Sequence, residues 1–138
     1  MKKIHLVGLG LLGGSFALAA RQKFPELQLS GQDANPQHLQ DALDLGIINV
    51  AKSIPDSDTD LVILATPADT LGELLVQTLA QIGPNTLVFD LGSTKAKLCS
   101  LVAAHPKRSQ YLAAHPIAGT EYSGPKAADA GLLDRKVM

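Results

Sequence analysis

The apolar run from Ile4 to Val7, bounded by Lys2-Lys3 and by glycine, predicts a strand buried on both faces, because a strand covered on one side only would alternate with polar residues. Leu27 to Gln32, Leu61 to Ala65, Leu87 to Phe89 and Tyr111 to Ala114 predict four more strands, and Leu61 to Ala65 is the clearest of them. Between them the apolar period lengthens to that of a helix over Leu11 to Arg21, over Asn35-Pro36 to Leu45, over about Ala68 to Gln81 and over Thr94 to Ala104. Pro36 can start the second helix and Gly83-Pro84 stops the third. A further helix is expected from Pro125 to Ala130, then a turn through Gly131 and Asp134-Arg135. Strands alternating with helices through short links predict an α/β chain: a Rossmann-type, doubly wound, mostly parallel sheet with helices on both faces.

Composition narrows the choice of partners. At 138 residues the chain reads as one domain with a core of its own. A net charge of −1 with scattered Lys and Arg gives no basic footprint, so no nucleic acid partner is expected. No stretch reaches the roughly 20 apolar residues of a membrane span, and the basic start at Met1-Lys2-Lys3 leads into a run broken by His5 and glycines. A soluble, cytoplasmic product with no membrane partner is therefore expected. The single Cys99 cannot form an internal disulfide and reads as a small core residue.

Gly8-Leu9-Gly10-Leu11-Leu12-Gly13 is G-x-G-x-x-G between a strand and a helix, the setting a dinucleotide fingerprint requires. Gly8 allows the tight turn, Gly10 leaves room for a pyrophosphate, and Gly13 lets the helix pack closely on the strand; the first helical residues, Leu11 and Leu12, present backbone N–H donors. Asp33 follows 20 residues after Gly13, where a carboxylate can accept the ribose hydroxyls of an adenosine. The ribose role is the favoured one; the alternative is a turn residue or helix cap beside Asn35-Pro36. No Arg or Lys lies between Ala34 and Gln40 to neutralise a 2′-phosphate, so NAD is favoured over NADP. Thr66-Pro67 and Asp90 to Lys95 also follow strands, at the carboxyl edge where open α/β sheets bind ligands. Ser93 and Thr94 could instead cap the following helix, Thr94 being the better placed, and Lys95 could be a solvated helix residue.

His115 to Glu121 sets a titratable base, a stiffening Pro116, a permissive Gly119 and a carboxylate in one short loop. An imidazole can take the proton of a substrate hydroxyl without a metal, and no metal site is expected. His5, His38 and His105 lack such company.

Together, Gly8 to Gly13, Thr66-Pro67, DLGSTK at Asp90 to Lys95 and HPIAGTEYSGP at His115 to Pro125 resemble the N-terminal nucleotide-binding domain of prephenate dehydrogenases, with arogenate dehydrogenases as near relatives. The resemblance implies NAD as cofactor, bound by Gly8, Gly10, Leu11, Leu12, Gly13, Asp33, Thr66, Pro67 and Ser93. It implies that His115 is the catalytic base, that Ser93 orients it and the substrate hydroxyl, and that Glu121 stands at the polar wall of the substrate pocket. The reaction implied is oxidative decarboxylation of prephenate to 4-hydroxyphenylpyruvate in tyrosine biosynthesis, with arogenate as the alternative substrate. Family members continue into a helical domain that supplies basic residues and a homodimer interface. Because what reads as a new strand starts at Lys136-Val137 just before Met138, residues 1–138 are expected to be a truncated NAD-binding domain without that second domain. Such a fragment would turn over weakly or not at all, and a non-catalytic dinucleotide-binding module is the alternative of another class.

Overall fold

A computed structural model describes residues 1–92, 95–114, 124–129 and 131. Among these residues six strands form one sheet: β1 (Lys3–Val7), β2 (Gln28–Gln32), β3 (Val50–Ala51), β4 (Leu61–Leu64), β5 (Leu87–Asp90) and β6 (Tyr111–Ala113). Their order is β3-β2-β1-β4-β5-β6, and all five pairings are parallel. The helices are α1 (Leu11–Lys23), α2 (Pro36–Asp44), α3 (Ala68–Gln81) and α4 (Lys95–Val102). β1 lies at the centre, with Ile4 in register with Leu29 on one side and Leu61 on the other. That position explains why Ile4 to Val7 are all buried and why the run does not alternate.

Alternate residues of the strands feed two cores. Ile4, Leu6, Leu29, Leu61 and Ile63 pack beneath α1 and α2 with Ala17, Ala42 and Ile47, while Val7, Val62, Leu64 and Val88 meet Leu71, Leu75 and Leu79 of α3 and Leu98 and Val102 of α4. Cys99 packs, partly buried, against the second core, as a small apolar residue would. Within that apolar layer His5 is fully buried, its Nδ1 2.8 Å from the Ser30 hydroxyl on the neighbouring strand and its Nε2 without a partner.

Three expectations need correction. β3 was not foreseen: Val50 and Ala51 are both exposed and show no apolar pattern, and the edge is held instead by Asn49, whose side-chain oxygen accepts from the Leu29 N–H at 2.9 Å. The helix expected from Pro125 to Ala130 is a single 3₁₀ turn, Pro125–Ala127, with no side-chain cap, after which Ala128 returns to an extended conformation. Asp129 N–H then donates to the Ser15 hydroxyl at 2.9 Å, which ties this strap onto α1. Lys95 is no solvated helix residue, since its ammonium pairs with the buried carboxylate of Asp90. The strand expected at Lys136-Val137 lies outside the described residues.

Candidate functional site

The strand order places the site. Successive strands run outward from β1 in one direction and from β4 in the other, so the connections leaving the carboxyl ends of β1 and β4 part and leave a crevice between them. A cleft of about 890 Å³ opens there, lined by Gly8, Gly10, Leu11, Leu12 and Asp33 on one side and by Thr66, Pro67 and the first turns of α3 on the other.

Each glycine of the loop has a distinct steric reason. Gly8 sits at φ +98, and a Cβ there would fall 2.6 Å from the Ala65 carbonyl oxygen, so β1 can turn tightly against the end of β4 only without a side chain. A Cβ on Gly13 would lie 2.2 Å from the Gly8 carbonyl oxygen, which is how closely α1 packs on the turn. Gly10 is the opposite case: nothing lies within 4 Å of where its Cβ would be, and the residue lines the cleft. Its side-chain space is therefore open to a ligand. Gly10 is also the N-cap of α1, and no side chain caps that end. The first-turn N–H groups have no acceptor within a helix, so the uncapped end adds donors and a positive dipole end to the cleft.

Asp33 lies at the end of β2 with its side chain 13% exposed. One carboxylate oxygen accepts the Leu9 N–H at 2.8 Å, and the other accepts the Asn35 N–H at 2.8 Å. Asp33 thus fastens the glycine loop to β2 and makes a local turn, while lone pairs remain on both oxygens. The cap of α2 is Asn35, whose side chain accepts from the N–H groups of Gln37 and His38. Asn35, and not Asp33, is therefore the helix cap, while Asp33 does form the turn.

Thr66 supplies an unsatisfied group. Among the described residues its buried hydroxyl has no hydrogen-bond partner while the residue lines the cleft, and such a group is stabilised by a ligand that bonds to it. Pro67 caps α3 with its backbone extended.

The carboxyl ends of β5 and β6 are braced by Asp90, which is fully buried. Its carboxylate accepts from the Tyr111 hydroxyl at 2.8 Å, from the Gly92 N–H at 3.0 Å and from the Lys95 ammonium. Burial, with Asp90 adding to it, pushes the Tyr111 phenol well above its ordinary value, so Tyr111 stays a neutral donor. Asp90 and Ala113 are in register on adjacent parallel strands. The brace therefore fixes the two strand ends that lead into Ser93 and into His115. Ser93, His115 and Glu121 themselves lie outside the described residues, as does Thr94.

The sequence reading missed His38. Its ring lines the cleft, with Nδ1 3.7 Å from the Asp33 carboxylate, and a Cβ on Gly124 would come 3.4 Å from its Nε2. The signal was its place in the first turn of α2, three residues after the cap.

Comparison with known proteins agrees with this geometry. The family described as "Prephenate dehydrogenase, nucleotide-binding domain" matches residues 16–138. The chain is similar to prephenate dehydrogenase from Bacillus subtilis, 36% identical over 95% of this chain and 37% of the relative, and to that from Lactococcus lactis, 33% identical over 97% and 39%. It therefore spans less than half the length of these curated relatives. Among solved structures, prephenate dehydrogenase from A. aeolicus in complex with hydroxyphenyl propionate and NAD⁺ superimposes with a TM-score of 0.86 at 31% identity, covering 99% of this chain and 49% of that one. With these matches over nearly its whole length, the chain belongs to the prephenate dehydrogenase nucleotide-binding domain family.

Proposed function

We propose that this chain binds NAD in the cleft between β1 and β4 and that, in the whole protein, it serves the NAD-dependent oxidative decarboxylation of prephenate. The observation that carries the reading is Gly10, a position with open side-chain space, at the uncapped start of α1 and facing the cleft. A pyrophosphate fits such a place on charge and on space. The Asp33 carboxylate would hold the adenosine ribose, and the orphaned Thr66 hydroxyl would donate to or accept from the cofactor. The NAD⁺ bound to the A. aeolicus relative supports the same choice of cofactor.

NAD, when bound, supplies a two-electron hydride acceptor. His115, delivered by the strand end that Asp90 and Tyr111 brace, would accept the proton of the prephenate ring hydroxyl as that carbon is oxidised. Ser93, three residues after Asp90 in the sequence, would orient that hydroxyl and the imidazole, and Glu121 would contribute to the polar wall. Loss of the ring carboxylate as carbon dioxide makes the ring aromatic, which drives the reaction forward. In that scheme the protein contributes positioning and one base.

Titration of the 138-residue chain with NAD, followed by calorimetry, tests the binding half. Saturable one-site binding that is abolished by Gly10→Val supports it, and no binding overturns it. Steady-state assays of the whole protein with prephenate and arogenate test the catalytic half; turnover of neither overturns it.

A further inference from the structure

The charges that line the cleft are one-sided. Among the described residues of its wall, Asp33, Asp69 and Glu73 carry carboxylates, and the single side chain able to carry positive charge is His38. A dinucleotide is a polyanion, so the position of that one imidazole matters. Its Nδ1 stands 3.7 Å from the Asp33 oxygen that also holds the Leu9 N–H.

Resting on the proposed function, in which Asp33 holds the adenosine ribose, we infer that His38 is the residue that sets how far this site discriminates between NAD and its 2′-phosphorylated form. A phosphate on a ribose hydroxyl at Asp33 would meet the carboxylate's charge, which disfavours NADP. The same phosphate would come within reach of the imidazole, which offers an N–H donor and, when protonated, a cation. His38 therefore moderates the exclusion that Asp33 imposes. The absence of Arg and Lys between Ala34 and Gln40 does not settle the matter, because the one residue of that interval able to play their part points into the cleft.

Among the described residues, the surroundings leave His38 free for this role. The ring is about one-third exposed, and its backbone N–H, not its side chain, serves the cap of α2. Asp41, one turn further along α2, is partnered by Lys126 of the strap at 4.0 Å. Gly124 lies beside the ring: a Cβ there would reach van der Waals contact with Nε2 at 3.4 Å, and the φ of +82 disfavours any side chain. Asp69 and Glu73 line the same cleft and add to the repulsion an incoming phosphate meets.

The test is calorimetric titration of NAD and NADP into the native chain, His38→Gln and His38→Arg. Gln suits a half-exposed helix position, so the variant folds. We expect the NADP-to-NAD affinity ratio to fall about tenfold in His38→Gln, as for loss of one charge-assisted hydrogen bond. In His38→Arg, NADP affinity should rise above that of the native chain. An unchanged NADP-to-NAD ratio in both variants, with NAD still bound, overturns the role of His38 and leaves the proposed function intact. Failure of the native chain to bind NAD overturns both.

Discussion

The buried histidine of β1 makes the stability of this domain sensitive to mild acid. His5 is fully buried in the central strand, bonded through Nδ1 to the Ser30 hydroxyl, with Nε2 facing no partner. Burial lowers its pKa from 6.5 to about 4; the Lys52 charge adds to that and Asp56 opposes it. The folded chain therefore holds the neutral ring, whereas the unfolded chain takes up a proton below about pH 6.5. Stability is unaffected above that value and is lost progressively as pH falls from 6.5 toward 4. Integrating the linkage between pH 7.5 and pH 4.5 gives a loss of roughly 2–3 kcal/mol from this one group. For a domain stable by roughly 5–15 kcal/mol that is a large fraction. The assay is urea unfolding at both pH values for the native chain and His5→Gln, which keeps a partner for Ser30 but does not titrate. Asp56 and Asp60 also sit below their ordinary values, Asp56 through Lys52 and Asp60 through the N–H groups of Lys2 and Lys3, and their stabilisation is lost as pH falls through their own lower range. They are present in both proteins, so the difference between the two losses isolates His5. Equal losses in native and variant chains would refute the reasoning.

The glycines give a contrasting pair. Gly13→Ala should cost more than about 2 kcal/mol in urea unfolding, because its Cβ would meet the Gly8 carbonyl oxygen, whereas Gly10→Ala should leave stability within about 0.5 kcal/mol and still weaken NAD in a binding titration at least tenfold. Tyr111→Phe strips a donor from buried Asp90 and should cost about 1–3 kcal/mol in the same unfolding assay. In the whole protein, His115→Asn should lower kcat about 10²- to 10⁴-fold with NAD affinity nearly unchanged, and kcat/KM should lose its acidic limb in a pH profile.

What could be read from the sequence followed the strength of local signals. β1 and β4 are runs with no solvent face, and α3 is stopped by Gly83-Pro84, so their bounds fell within a residue or so of those observed. β3 was illegible because two exposed residues at a sheet edge carry no pattern, and a side chain, Asn49, does part of the holding. The strap from Gly124 to Asp129 was misread as a helix because Pro125 is a good first helical residue, while its contacts with Ser15 and with Asp41 on α2 are made across the fold. At the site, the glycines were legible because each answers a local backbone demand. The second job of Asp33, bonding the Leu9 N–H 24 residues away, was not, nor was the approach of His38 to Asp33. Both depend on how α2 and the glycine loop meet, a tertiary fact. Lys95 looked solvated because its partner, Asp90, is a strand residue whose burial only the sheet reveals.

The central claim is that NAD lies across the glycine loop between β1 and β4 with its ribose at Asp33. Amide NMR of the isotope-labelled 138-residue chain during an NAD titration tests it most directly. The account predicts that the largest shifts fall on the amides of Gly10, Leu11, Leu12 and Gly13, with a second group at Asp33 to Asn35 and at Thr66. Saturable shifts confined to another surface, or none at millimolar NAD, would contradict it.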